Sequence, residues 1–411
     1  MAPSGHHGPS DERPSGHHGP SDERPSGRQG PSDERPSDER APTPAALDDL
    51  QVLDFSRVLA GPLSTMLLAD LGATVVKVER PGRGDDTRAW GPPFDEDGDA
   101  TYFLAVNRNK RSIALDLQDP ADLGRARELA AGADVLVENF RPGVMDRLGL
   151  GYEELRAHNP RLIYCSITGF GAGRGAALPG YDLLVQAVGG LMSITGDPDG
   201  EPQKVGVALV DVIAGLFTTV GILAALRHRE RTGRGQRVEV DLLSSLLAAL
   251  VNQGSAYTAA GVVAARMGNA HPSIAPYELF AAQDGDMVLA VGNERQFASL
   301  CDALGTPELA TDERFATNAQ RVAHRGELRA LLEQALARRP VAEWVEVLSE
   351  AGVPAGRVND IAGAFALAES LGLSPVVEVP RDRGTPVRLT RNPIRLSETP
   401  PSYRSAPPPL P

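Results

Sequence analysis

From Leu50 onward, short apolar runs alternate with stretches of helical periodicity, and this alternation restricts the possible folds more than any other feature of the 411-residue chain. Residues 51–55 predict a strand, 61–71 a helix with Pro62 near its first turn, and 73–79 the next strand. The pattern repeats as a strand over 112–117, a helix over 120–131, a strand over 134–140, a helical stretch containing Tyr152 to His158, and a strand over 162–167. Successive βαβ units imply a parallel sheet with helices on both faces and a ligand site at the carboxyl ends of the strands.

The chain ahead of this pattern has a different character. Pro3 to Arg13 is repeated at Pro14 to Arg24, a third copy follows from Pro25 to Arg35 with Arg28 and Gln29 in place of the two histidines, and a remnant ends at Arg40. No Leu, Ile, Val or aromatic residue occurs in these repeats, so residues 1–43 read as a disordered tail that cannot offset its own ordering entropy. The pairs His6-His7 and His17-His18 have no scaffold that would make them a metal site. The tail carries eight acids and five arginines, so a net charge of −13 for the chain becomes −10 for the remainder. That balance excludes a protein that tracks nucleic-acid phosphates. Two cysteines, Cys165 and Cys301, support neither a disulfide framework nor a zinc centre and suit a reducing cytosol. The first residues, lacking a basic stretch followed by an apolar one, do not read as a secretory signal.

Candidate chemistry lies at the expected strand ends. The first βα turn, Ser56-Arg-Val-Leu-Ala-Gly61, lacks the spaced glycines of a dinucleotide fingerprint, and Glu79 at the end of the second strand is a weak ribose ligand without them. Arg141 and Arg147 flank a Pro-Gly turn, where they are either phosphate ligands or solvated charges. Residues 205–226 form an apolar run broken by a single charge, Asp211. A membrane span of that length must be considered, but a central acid costs about 2.5–3.5 kcal/mol there. A buried helix of a soluble enzyme is the better reading, and Asp211 is then a satisfied core residue or a functional carboxylate. Asp182 opens an apolar helix and is an N-cap or a functional acid, while His271 sits on a loop marked by Gly268 and Pro272, as a turn residue or an acid/base group. No zinc spacing, Gly-x-Ser-x-Gly elbow or Walker loop is present.

Several segments together resemble the family III CoA-transferases, a group that includes formyl-CoA and carnitine CoA-transferases and the related α-methylacyl-CoA racemases. These are Phe55-Ser-Arg-Val-Leu-Ala-Gly-Pro62, Val76-Lys-Val-Glu-Arg-Pro-Gly82, Asn109-Lys-Arg-Ser-Ile113, Val137-Glu-Asn-Phe-Arg-Pro-Gly143, Ala208-Leu-Val-Asp211 and Thr232-Gly-Arg-Gly-Gln236. The resemblance spans residues 47–400. It implies an α/β fold, with a Rossmann-like large domain of parallel sheet and flanking helices over 44–228, a linker and smaller α+β domain over 229–330, and a C-terminal part over 331–411 that returns to the large domain. It further implies an interlocked homodimer in the cytoplasm, with no membrane or nucleic-acid partner.

By the same resemblance Asp211 is the nucleophile, and Val58, Arg80, Asn139, Phe140, Arg141 and Arg147 bind coenzyme A. Tyr181, Asp182, Gly268 and His271 belong to the substrate loop or stand behind the nucleophile. The substrates are an acyl-CoA and a carboxylic acid, with no metal and no permanently bound cofactor. The alternatives are a racemase and a noncatalytic CoA-binding subunit. Related racemases place a His where Tyr181 stands, and a phenol with an ordinary pKa of about 10 is a poor second base. Leu59 replaces a Gln found beside substrate in some formyl-CoA transferases, which disfavours oxalate. Gln118 lies where a CoA-contacting Lys can occur, which removes one phosphate contact.

Overall fold

The computed structural model describes residues 44–411. The repeat and its histidine pairs lie outside the described residues. Six strands form one wholly parallel sheet: β1 (Gln51–Asp54), β2 (Thr74–Glu79), β3 (Lys110–Ala114), β4 (Val135–Glu138), β5 (Ile163–Thr168) and β6 (Arg237–Asp241), in the order β3-β2-β1-β4-β5-β6. Val52, Val135, Ile163 and Cys165 bury on one face beneath the helices Ala60–Asp70 and Leu209–Thr232. Their neighbours Leu53, Leu136 and Tyr164 bury on the other, against the helix Pro120–Gly132. Both faces of the central strands are covered, which is why β1, β4 and β5 carry apolar runs rather than a strict alternation, whereas the edge strands β3 and β6 carry more polar residues. Strand order reverses between β1 and β4, and the loops leaving their carboxyl ends open a crevice there.

The long helix Leu209–Thr232 packs one face into the core, as expected of a core helix, and leaves the other face exposed. Val210, Ala214, Thr218, Ile222 and Ala225 face the core, whereas Leu216, Phe217, Val220 and Leu223 remain exposed, Val220 by 62%. By length and composition it could cross a membrane. Its covered face instead lies tightly on the first helix, where a Cβ on Gly215 would stand 2.7 Å from the Ala60 carbonyl oxygen, so only glycine permits this approach.

A second body carries the antiparallel strands β7 (Tyr277–Ala281), β8 (Asp286–Ala290) and β9 (Ala355–Arg357). Its core joins Phe280, Met287 and Phe297 to Leu332, Trp344 and Val353. The division expected at 330 therefore falls inside this core, because Leu328, Leu332 and Leu336 lie on one apolar helix face that cannot be split. The division at 228 likewise precedes β6, a strand of the large sheet.

The chain end returns to the large sheet. Strands β10 (Val376–Val379) and β11 (Val387–Thr390) pack with Leu104 and Ala406, and Arg404 donates to the carbonyls of Ala69, Gly72 and Ala73 at the end of the first helix.

Candidate active site

The turn after β1 is built by charged side chains rather than by a run of glycines. Fully buried Asp54 accepts hydrogen bonds from the amide and hydroxyl of Ser56, from Thr65 Oγ1 at 2.7 Å and from Lys110 Nζ at 3.1 Å. Burial pushes its carboxyl up, but Lys110 and Lys77 outweigh that and hold it at about 2. Lys77 donates to the Ser56 carbonyl at 2.8 Å and pairs with Asp85 at 2.9 Å. Asp85 in turn accepts the Val58 amide at 3.3 Å. Val58 is thereby held at φ +70°, a conformation that costs a β-branched residue about 1–3 kcal/mol. Gly61 closes the turn, since a Cβ there would stand 2.2 Å from the Ser56 side chain.

Asn139, leaving β4, locks this turn to its own loop. Its Oδ1 accepts the Arg57 amide at 2.9 Å and its Nδ2 donates to the Arg57 carbonyl at 2.7 Å. Glu138 accepts the Phe140 amide at 2.8 Å and the Ser166 hydroxyl at 2.6 Å, and burial pushes its carboxyl up to about 7. The crevice consequently has two connected compartments. One, of about 320 Å³, is lined by Arg80, Gln118, Arg147 and apolar residues including Val78 and Leu115. The other, of about 260 Å³, is lined by Val58, Leu59, Asn139, Arg141, Tyr181 and Asp211. Arg57 and Phe140 line both.

Asp211 stands in the first turn of the long helix. Burial, and then the nearby Asp182 charge, push its carboxyl up to about 7. Asp182 does not cap the helix it opens; its Oδ1 accepts the amides of Val210 at 2.8 Å and Asp211 at 3.3 Å, and so caps the long helix 28 residues later. Gln186 Nε2 donates to its other oxygen at 2.6 Å. The pair thus joins a carboxyl with a shifted pKa to a carboxylate anchored behind it, a pattern suited to nucleophilic or acid/base chemistry.

Residues 47–410 match CoA-transferase family III. The chain belongs to that family. The succinate–glutarate CoA-transferase of Agrobacterium fabrum is 45% identical over 89% of this chain and 92% of its own. The acetyl-CoA:oxalate CoA-transferase of Acetobacter aceti is 46% identical over 85% and 89%. Among solved structures, a CAIB/BAIF family protein from Brucella suis superposes with a TM-score of 0.79 at 46% identity, covering 89% of this chain and 96% of that one.

In this CoA-transferase the cleft brings together Val58, Arg80, Asn139, Phe140, Arg141, Arg147, Tyr181 and Asp211, with Asp182 directly behind Asp211. It does not bring Gly268 or His271 into either compartment. The Gly268 amide donates to the Gly196 carbonyl, and His271 is held by Tyr277 and Arg325 of the second body. Glu79 is consumed structurally, gripping Arg88 through both oxygens and accepting from Ser112. Among the described residues no three or more metal-ligating side chains come together. Sequence reasoning passed over Arg57, one position before Val58. It also missed Tyr102, whose phenol is raised by burial and then by the charges of Asp211 and Asp182. Tyr102-Phe-Leu104 has the pattern of a core segment, and nothing local distinguishes the tyrosine within it.

Proposed function

We propose that this transferase moves CoA from an acyl-CoA to a carboxylic acid with Asp211 as nucleophile. The observation that carries the reading is a half-buried carboxyl, raised to about 7, at one end of a cleft whose other end is lined by Arg80 and Arg147. Those arginines, with Asn139, Phe140, Arg141 and the Val58 turn, hold CoA and place its thioester at Asp211. The carboxylate attacks the thioester carbonyl and expels CoA thiolate, forming an aspartyl anhydride. The thiolate attacks the aspartyl carbonyl, leaving an aspartyl-CoA thioester and the donor acid. The acceptor carboxylate reverses both steps, and because a thioester replaces a thioester no resident cofactor or external energy is needed.

For the oxyanions, support falls on the start of the helix Ala60–Asp70. That helix has no side-chain cap, and Leu59 and Ala60 line the compartment holding Asp211. The acceptor is a dicarboxylic acid, as the names of the relatives acting on succinate, glutarate and oxalate suggest. A second copy in an interlocked cytoplasmic homodimer accounts for exposed apolar side chains such as Val220, Val251 and Val263. Incubation with succinyl-CoA, trapping with hydroxylamine and peptide mapping will place the modification on Asp211. Turnover with Asp211 unmodified refutes the mechanism.

Only ionised Asp211 is nucleophilic, so kcat/KM rises with pH through about 7 and then levels. Asp182→Asn keeps an oxygen for the two helix amides but removes the neighbouring charge, and therefore moves this midpoint downward. Glu138 titrates in the same range, yet it lies under Phe140 and does not respond to Asp182. A midpoint unmoved in Asp182→Asn assigns the profile to a group other than Asp211.

A further inference from the structure

We infer that Arg57 is a phosphate-binding residue of the CoA groove, supplying from the first βα turn the cation that Gln118 does not. The inference rests on the reading that the cleft takes CoA. Among the described residues, Arg57 is the one cation lining both compartments. Its backbone is fixed on both sides by Asn139, so the side chain leaves a rigid base. The guanidinium lies over the Phe140 ring at 4.8 Å, which orients its planar fork without using its donors.

Those donors are otherwise unclaimed. Arg80 is engaged with Asp86 and the Gly84 carbonyl, and Arg88 with Glu79. Lys77 is engaged with Asp85. Among the described residues, the Arg57 guanidinium makes no hydrogen bond or ion pair. A half-buried cation in this state has shed water without gaining an anion, an arrangement that a ligand completes.

The charges around it indicate which part of the ligand it meets. Burial lowers the pKa of Arg57, and the Arg80 charge lowers it further against the opposing pull of Asp86 and Asp85. Arg57 and Arg80 line the same compartment of the crevice. Two arginines facing one space select a phosphate over the singly charged end of an acceptor acid. Gln118 lines the same compartment and, being neutral, adds no charge to hold that phosphate.

Calorimetric titration of wild type, Arg57→Gln and Arg57→Lys with CoA and with 3′-dephospho-CoA, each at low and high salt, tests this. Arg57→Gln should weaken CoA about 10–100-fold, the loss of one charge-assisted forked contact, and flatten the salt dependence. In turnover the loss should fall on the KM for acyl-CoA rather than on kcat. Arg57→Lys, which keeps the charge but not the fork, should recover part of the affinity. An equal loss with both ligands places the diphosphate at Arg57, and a loss confined to CoA places the 3′-phosphate there. Unchanged CoA affinity in Arg57→Gln, or a raised KM for the acceptor acid alone, overturns the inference while leaving the transferase reading intact. Wild type that fails to bind CoA overturns both.

Discussion

Asp211→Asn will lose transfer activity by about 10⁴-fold or more, the scale on which removing a covalent nucleophile acts, and will at the same time make the folded protein more stable at pH 8. The second half follows from the carboxyl's pKa, raised from 3.8 to about 7 by burial and by Asp182. A group whose folded pKa lies above its unfolded value contributes its full stability below about pH 4 and loses it as pH rises through about 7, where the buried charge must form. At about 1.4 kcal/mol per unit, the ionised side chain costs roughly 2–4 kcal/mol at pH 8. Asparagine fills the same space and carries no charge at any pH. Thermal melts should show no gain for the variant near pH 4 and a gain that grows between pH 4 and 8. A difference independent of pH would falsify the assignment of the raised pKa to Asp211. Retained transfer would remove this residue from the chemistry.

Asp70→Ala will destabilise the fold by about 3–5 kcal/mol, the cost of leaving a buried cation without its partner. Asp70, 1% exposed, takes both forks of Arg108 at 2.9 and 2.6 Å, the Asn109 amide group at 2.8 Å and that of Asn392 at 3.1 Å. One carboxylate therefore ties the end of the first helix, the loop before β3 and the segment after β11. Urea unfolding measures the loss. Limited proteolysis should show cleavage near residues 392–405 at denaturant concentrations where wild type resists. A change below about 1 kcal/mol shows that the C-terminal segment is held by Arg404 and apolar packing instead.

The large sheet was legible because its evidence is local. Strand β2 ends at Glu79 and the helix Pro120–Gly132 begins at its proline, as the apolar spacing and the turn residues require. The second body was less so. Its core pairs Phe280 with Leu332 and Trp344 across more than fifty residues, and a boundary drawn from periodicity has no access to such contacts.

Asp211 stood out because an acid in a long apolar run is conspicuous whatever it touches. Arg57 did not, since an arginine in a polar turn is ordinary until its neighbours are known to be taken. Asp182 shows the same limit from the other side. Its position left a cap of its own helix and a functional acid both open, and the cap it makes serves a different helix.

The order of apolar runs, glycines and family motifs by itself determined a parallel α/β sheet and a CoA-transferase, and it singled out Asp211 as the candidate carboxylate. Only the tertiary structure decided which charges are spent and which are free. Glu79 is closed by Arg88, Asp182 is fixed on a helix end 28 residues away, and Arg57 is left open beside Phe140. The reason is physical: a charge inside a protein is defined by its partner and its loss of water, and both are set by chain segments that meet only when the molecule folds.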